Sequence, residues 1–349
     1  MYKNFIIKGC YIELTTRCNL SCVHCYNNSG KENFHLTFDN LIGVLDLLLK
    51  HEVKKITLSG GEPFLYERIY DLLKYISQKN FLVTFATNAT LINKKNIEFI
   101  SSLKNKENIV FQVSLEGATP DTNDVIRGTN SFSKVIKTID LLKCYNLKYY
   151  FRVSISPFNS NDIEKIVEFA IKRKTKHLDF SFVLPYGRAR DKALFLNDEQ
   201  KVEVLTNIID LHKKYKKDIN VLIPHFERQG CPIFGERKEA VVIPRIDAKG
   251  NVFPCQLMNL AEYSIGNIYN DNLFDLLKSD KLIDIDNFIK YKNKYNSECK
   301  KCYAFSICKY GCPAVSVGNN LISSGDGFCE YRKKVFKDIL NKKVFCEKS

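Results

Sequence analysis

Three cysteines, Cys18, Cys22 and Cys25, stand in the run Cys18-Asn19-Leu20-Ser21-Cys22-Val23-His24-Cys25-Tyr26. Their C-x3-C-x2-C spacing falls in a loop just after an apolar, strand-like run at residues 10–14. Three thiolates hold three irons of a [4Fe–4S] cube and leave the fourth iron open to a small molecule. A four-cysteine site is closed and normally only passes electrons. The simpler alternative is a three-cysteine zinc site with His24 as fourth ligand. Two features count against zinc. Zinc motifs usually come as paired C-x2-C knuckles, and a Gly60-Gly61-Glu62-Pro63 run follows at the end of the next strand-like segment.

At these residues the chain resembles the radical S-adenosylmethionine (SAM) superfamily. In that family the three cysteines hold the SAM-cleaving cluster, and the Gly-Gly-Glu-Pro run looks like its methionine-binding motif. Glycine lets backbone amides and carbonyls approach an amino-acid head group closely. Alone, Gly60-Gly61 would be a routine strand-to-helix turn; beside the cysteine triplet it is a specific signal.

A second set follows: Cys231, then Gly250-x4-Cys255, then Cys299-x2-Cys302-x5-Cys308-x3-Cys312, then Cys329. It resembles the SPASM domain, the cysteine-rich extension of peptide-modifying radical SAM enzymes, which binds two auxiliary [4Fe–4S] clusters. The alternative is a pair of zinc knuckles, which the seven-cysteine pattern disfavours. The family's interleaved ligation implies one closed cluster on Cys299, Cys302, Cys308 and Cys329. Cys231, Cys255 and Cys312 would hold the other with only three thiolates. Its fourth ligand is open between a carboxylate, His225, the tail Cys346 and a substrate thiolate. Cys10 and Cys144 read as small buried apolar residues.

The resemblance implies further roles by position. Gly60, Gly61 and Glu62 meet the methionine amine of SAM. Arg152 pairs its carboxylate, for which a guanidinium is suited. Ser114 and Glu116 hold the ribose, although the family more often shows aspartate at the latter position. Thr87, Asn88 and Leu184 cover the remaining faces. Each has a plainer alternative: a turn at Thr87-Asn88, a surface charge pair at Arg152, a satisfied strand hydroxyl at Ser114. The implied reaction reduces the sulfonium by one electron, giving methionine and a 5′-deoxyadenosyl radical that removes hydrogen from an unactivated C–H bond.

The elements that must position these residues alternate regularly. Strand-like runs lie at residues 10–14, 55–59, 82–86, 109–115, 148–154 and 177–184. Helical stripes separate them: Leu41, Val44, Leu45 and Leu48; Ile69, Leu72, Leu73 and Ile76; Phe132, Val135, Ile136 and Ile139; Ile163, Ile166, Val167 and Ala170. Residues 93–103 form a less regular helix, and Val202, Leu205, Ile209 and His212 a last stripe, with His212 at a helix boundary. Six βα units imply a parallel sheet with right-handed crossovers. The pattern alone also permits a doubly wound sheet. The resemblance selects an α/β fold with a partial (β/α)6 TIM-type barrel over residues 1–220. A C-terminal cysteine-rich iron–sulfur domain spans residues 221–349. Loops at the C-terminal strand ends build the site in such barrels, and the singled-out residues fall there. Residues 241–254 read as a hairpin, 279–297 as a helix and loop, and 330–343 as a basic helix packed on the barrel.

Composition bounds the rest. The 349 residues are 45% hydrophobic and include no apolar run long enough to span a membrane. The first residues lack a signal-peptide core. Thirteen cysteines without an export signal read as metal ligands in a reducing compartment, hence the cytoplasm. The net charge of +14 permits an acidic partner, but the lysines are scattered and read as solvated helix faces, so nucleic acid is disfavoured. The leading expectation is a maturase of a ribosomally made precursor peptide, forming a thioether or a carbon–carbon crosslink. An electron donor such as flavodoxin or ferredoxin is expected. The first strand begins almost at the N-terminus, so a separate leader-peptide recognition protein, or the basic surface, is expected in place of a fused leader-binding domain. Alternatives are an anaerobic sulfatase-maturing enzyme, a haem-pathway enzyme acting on a porphyrin side chain, and a non-catalytic iron–sulfur or zinc scaffold.

Overall fold

The six strand-like runs fold as parallel neighbours in the computed structural model, which describes residues 5–190, 194–222, 231–234, 240–294, 296–318 and 326–340. The strands are β1 (Phe5–Ile7), β2 (Cys10–Glu13), β3 (Lys55–Ser59), β4 (Leu82–Thr87), β5 (Ile109–Ser114), β6 (Lys148–Ile155), β7 (His177–Phe182), β8 (Asn220–Leu222), β9 (Ala240–Val242), β10 (Arg245–Ile246), β11 (Asn251–Phe253) and β12 (Gly266–Asn267). One open sheet runs β12-β11-β10-β2-β3-β4-β5-β6-β7-β8, parallel from β10 to β8. A second small sheet pairs β1 with β9. The sheet therefore crosses residue 220: β8 straddles it, and β10–β12 extend the barrel strands beyond β2.

Helices α1 (Phe38–Lys50), α2 (Ile69–Ser77), α3 (Lys94–Ser101), α4 (Pro120–Arg127), α5 (Ser131–Cys144), α6 (Ile163–Lys172) and α7 (Asp198–Tyr215) lie between the barrel strands. The predicted stripes of α1, α2 and α6 are all buried. In α5, Val135 and Ile139 are buried and Phe132 and Ile136 half-buried against them. In α7 the buried face is Val204, Leu205, Ile208, Ile209 and Leu211, so Val202 and His212 sit at its margin. His212 Nδ1 donates to the Val221 carbonyl at 2.9 Å, which joins α7 to β8. Cys144 is exposed, contrary to expectation, while Cys10 is buried. The inward face of α5 runs through Val135, Thr138, Ile139 and Leu142, and two residues past Leu142 is the opposite side of a helix.

The period-two alternation of the strands separates core from site. On β5, Ile109, Phe111 and Val113 are buried in the core, while Gln112 and Ser114 line the barrel cavity. On β6, Phe151, Val153 and Ile155 do the first job and Arg152 and Ser154 the second.

Beyond the barrel, β10 and β11 form the predicted hairpin, turning through Asp247, whose carboxylate accepts from the Lys249 and Asn251 amides. Then follow α8 (Leu273–Leu276), α9 (Asp280–Lys294), α10 (Ser297–Lys301), α11 (Phe305–Cys308), α12 (Pro313–Gly318) and α13 (Cys329–Leu340). Helix α13 packs on the barrel through Tyr331, whose ring meets Phe182 edge-on at 5.4 Å. His225, Cys346 and residues 341–343 of the predicted basic helix lie outside the described residues. Among the described residues no helix is long and apolar enough to cross a membrane.

Candidate active site

The loop after β2 brings Cys18, Cys22 and Cys25 to a cavity of about 260 Å³ inside the barrel. Gly60, Gly61, Thr87, Asn88, Ser114, Arg152 and Leu184 line the same cavity. These come from the C-terminal ends of β2 to β7, as the barrel reading requires. Burial pushes the Cys18 thiol up to about 11 and also raises Cys22, against the pull of Arg127. Such thiols ionise only when a cation takes the place of the lost water.

The glycines have a second reason beside approach to a ligand. A side chain on Gly60 would lie 2.4 Å from the Thr15 carbonyl oxygen, and one on Gly61 2.1 Å from that of Arg17. The amides of Gly61 and Glu62 donate to those same carbonyls at 2.7 and 2.8 Å. The β3 turn is thus zipped backbone-to-backbone onto the strand leading into Cys18.

Glu62 is fully buried and faces protein rather than the cavity. Its carboxylate accepts from Thr87 Oγ1 at 2.7 Å, the Asn88 amide at 2.8 Å and the Phe64 amide at 3.3 Å. Burial pushes it up to about 7 despite these bonds. Asn88 Nδ2 in turn donates to Asn19 at 3.0 Å and lies 3.8 Å from Cys18 Sγ. Glu62 and Asn88 therefore brace the β3, β4 and cysteine loops together.

Glu116 does not reach the cavity either, unlike Ser114 two positions earlier. Its carboxylate is consumed by Arg127 Nη2 at 2.6 Å, the Ser154 amide at 2.6 Å and His24 Nε2 at 3.1 Å. His24 is correspondingly turned to Glu116, with Nδ1 left without a partner. Arg152 is shared with Asp179 on β7 by an ion pair, and is about one-third exposed to the cavity.

Arg127 and Arg188 are functional candidates that motif reading left without a role. Arg127 Nη1 lies 3.9 Å from Cys22 Sγ. Arg188 donates to the Cys22 carbonyl at 2.8 Å. Signals were present, an Arg-Gly pair at a helix end and a Gly-Arg pair after β7, but neither names its partner.

A second cavity of about 290 Å³ is lined by Cys231, Cys255, Cys308 and Cys312, together with Arg332. Burial first, then Cys312 and Cys255 nearby, push Cys231 up to about 12. Cys299 is raised to about 11 by burial, with Cys329, Cys308 and Cys302 beside it. Cys308 stands between the two groups: it lines this second cavity and also lies near Cys299, Cys302 and Cys329. Gln256 and Leu257 line both cavities.

Among the described residues no three His, Cys, Asp or Glu side chains are placed to hold a single metal ion. One tetrahedral zinc needs its thiolates about 3.8 Å apart, given bonds of about 2.3 Å. A cubane instead takes each thiolate on its own iron. Separate thiols around a common cavity fit the latter.

Residues 12–170 match the radical SAM superfamily, and residues 240–303 match SPASM, an iron–sulfur cluster-binding domain. The chain is a radical SAM enzyme. It belongs to the part of that superfamily that carries a SPASM domain, and its cofactors are SAM and [4Fe–4S] clusters. The scaffold alternative falls with this. The chain is 28% identical over 308 residues to the antilisterial bacteriocin subtilosin biosynthesis protein AlbA of Bacillus subtilis, covering 83% of this chain and 66% of AlbA. It is 25% identical over 365 residues to a cysteine-type anaerobic sulfatase-maturating enzyme of Clostridium novyi, covering 96% of each. The fold is similar to that of Streptococcus suis SuiB bound to S-adenosylmethionine, with TM-score 0.75 at 18% identity over 93% of this chain and 77% of SuiB. SuiB has also been seen bound to its precursor peptide SuiA.

Proposed function

We propose that the protein matures a ribosomally made peptide, joining a carbon of one residue to the sulfur of a substrate cysteine. The observation that carries this is the shared lining of two cavities. Cys231, Cys255 and Cys312 line a cavity that shares two lining residues, Gln256 and Leu257, with that of Cys18, Cys22 and Cys25. A peptide cysteine held at the first presents neighbouring residues to the second. Cys18, Cys22 and Cys25 would hold the SAM-site cluster, Cys231, Cys255 and Cys312 an auxiliary one, and Cys299, Cys302, Cys308 and Cys329 the other. When bound, these groups supply an acceptor for the substrate hydrogen atom and a sink for one further electron; the thiol proton leaves to solvent and a C–S bond forms.

The chain's residues do the positioning. Gly60 and Gly61 present backbone to the SAM amine. Arg152, held by Asp179, meets the SAM carboxylate, and Ser114 meets the ribose from β5. Glu62 and Glu116 act one step back, bracing the loops that carry Cys18 and Cys22. The electron donor is a flavodoxin or ferredoxin, and the compartment is the cytoplasm.

A second reading, oxidation of a protein cysteine to formylglycine, is favoured by the end-to-end match to the sulfatase-maturating enzyme. Mass analysis of cysteine peptides after anaerobic turnover separates the two. A thioether loses two hydrogens and keeps its sulfur, whereas formylglycine loses the sulfur. Loss of sulfur overturns the thioether reading.

A further inference from the structure

Three guanidiniums line the SAM-site cavity: Arg127, Arg152 and Arg188. Two have carboxylate partners, Glu116 and Asp179. Arg188 differs: among the described residues no carboxylate pairs with it. It spends its donors on the cysteine loop instead. Nε donates to the Cys22 carbonyl at 2.8 Å, and Nη1 to the Ser29 carbonyl at 2.9 Å and to Asn28 Oδ1 at 3.3 Å. Its own amide donates to the Cys25 carbonyl at 2.9 Å. One residue therefore holds the arc from Cys22 to Ser29 at four points.

The preceding residue makes this approach possible. Gly187 has φ +56°, and a side chain there would lie 2.4 Å from the Cys25 carbonyl oxygen and 2.5 Å from that of Tyr26. The turn after β7 is pressed directly onto the loop between Cys22 and Tyr26.

We propose that Arg188 is a positioning residue for the cluster on Cys18, Cys22 and Cys25, fixing the loop with its planar fork and offsetting the cluster's negative charge with a cation that no carboxylate among the described residues neutralises. This rests on those three cysteines being the SAM-site ligands. Adding an electron makes the cluster more negative, and a nearby cation favours that form. Arg188 therefore raises the reduction potential of this cluster. The fork needs a guanidinium, whereas the charge needs only a cation, so the two contributions are separable.

The test is a redox titration of anaerobically reconstituted protein, followed by electron paramagnetic resonance, beside a measurement of iron release to a chelator. R188M is expected to shift the SAM-site cluster to lower potential and release its iron several-fold faster. R188K is expected to keep the wild-type potential but release iron as fast as R188M. The auxiliary iron should be unchanged in both, which reports that the chain is folded. An R188M variant with wild-type potential and release overturns the proposal, as does an R188K variant with a potential as low as that of R188M. Should R188M hold no SAM-site iron at all, R188K decides alone: wild-type release from it overturns the role of the fork. Replacing Cys18, Cys22 and Cys25 tests the ligand assignment separately, because its failure would leave SAM-site iron in place whatever stands at residue 188.

Discussion

Arg127 Nη2 donates to Glu116 Oε1 at 2.6 Å, so that a guanidinium lining the cavity of Cys18, Cys22 and Cys25 is paired with a fully buried carboxylate behind it. Burial alone would raise the Glu116 carboxyl, but Arg127 and then His24 hold it down at about 2, from an ordinary 4.5. Between those values the unfolded chain binds more protons than the native one. Stability from this group is therefore full above pH 4.5 and is lost as pH falls towards about 2. E116Q leaves the Arg127 cation buried and unpaired, and is expected to cost on the order of 3 kcal/mol in the metal-free protein at neutral pH. Urea unfolding at a series of pH values checks this. A Glu116→Gln protein that loses stability with acid as steeply as the wild type would disprove it.

Gly61 and Gly43 should respond oppositely to alanine. At Gly61 the new methyl meets the Arg17 carbonyl oxygen at 2.1 Å, so the strand leading into Cys18 must move. G61A is expected to lose most SAM-site iron while keeping its auxiliary iron. At Gly43, inside α1, nothing lies within 4 Å, so G43A should gain about 0.5–1 kcal/mol from helix propensity. Iron analysis and thermal unfolding of the two variants read these outcomes. Full SAM-site occupancy in G61A would refute the backbone zipper.

Three cubanes correspond to about 12 irons per chain. Replacing Cys18, Cys22 and Cys25 with alanine should leave roughly two-thirds of that iron and abolish release of 5′-deoxyadenosine from SAM under strong reductant. Stoichiometric zinc with no iron in anaerobically purified protein would sink the cluster assignments. A wild-type content near a single cubane, unaffected by Cys302→Ala or Cys308→Ala, would remove the auxiliary sites.

The three-cysteine group at the second cavity predicts an exchangeable iron. A cysteine-containing substrate peptide should perturb that cluster's paramagnetic signal, and its Cys→Ser counterpart should not. The effect should persist without Cys18, Cys22 and Cys25. If Cys346→Ala alone erases the signal, the site is closed by the tail cysteine and the thioether reading loses its support.

The barrel was legible because its strands are buried runs separated by helical stripes of strict spacing. Local signals of that kind survive in one dimension. That Cys18, Cys22, Cys25, Gly60 and Gly61 meet at one cavity was legible for the same reason, since each motif is a run of near neighbours in sequence. Glu62 and Glu116 were legible as positions but not as roles. Whether a carboxylate faces ligand or protein depends on Thr87 and Arg127, which reach it only after the sheet forms. Arg188 meets Cys22 across 166 positions, a distance over which no spacing rule operates. Cys144 misled because its residue type says apolar while its angular position on α5 says solvent.

The pairing of β10 with β2 also sets an order of events as the chain is made. The strand that delivers the cysteine loop has β3 on one side from early on, but its other neighbour is Arg245–Ile246. Likewise β1 finds its partner only at Ala240–Val242. Until those residues leave the ribosome, β2 presents an open row of amides and carbonyls, the kind of edge that other chains can join. Contacts this distant in sequence also form slowly. The nascent barrel is thus a half-closed shell for most of its synthesis, and its radical-generating loop acquires a fixed floor only once the cysteine-rich half has begun to appear.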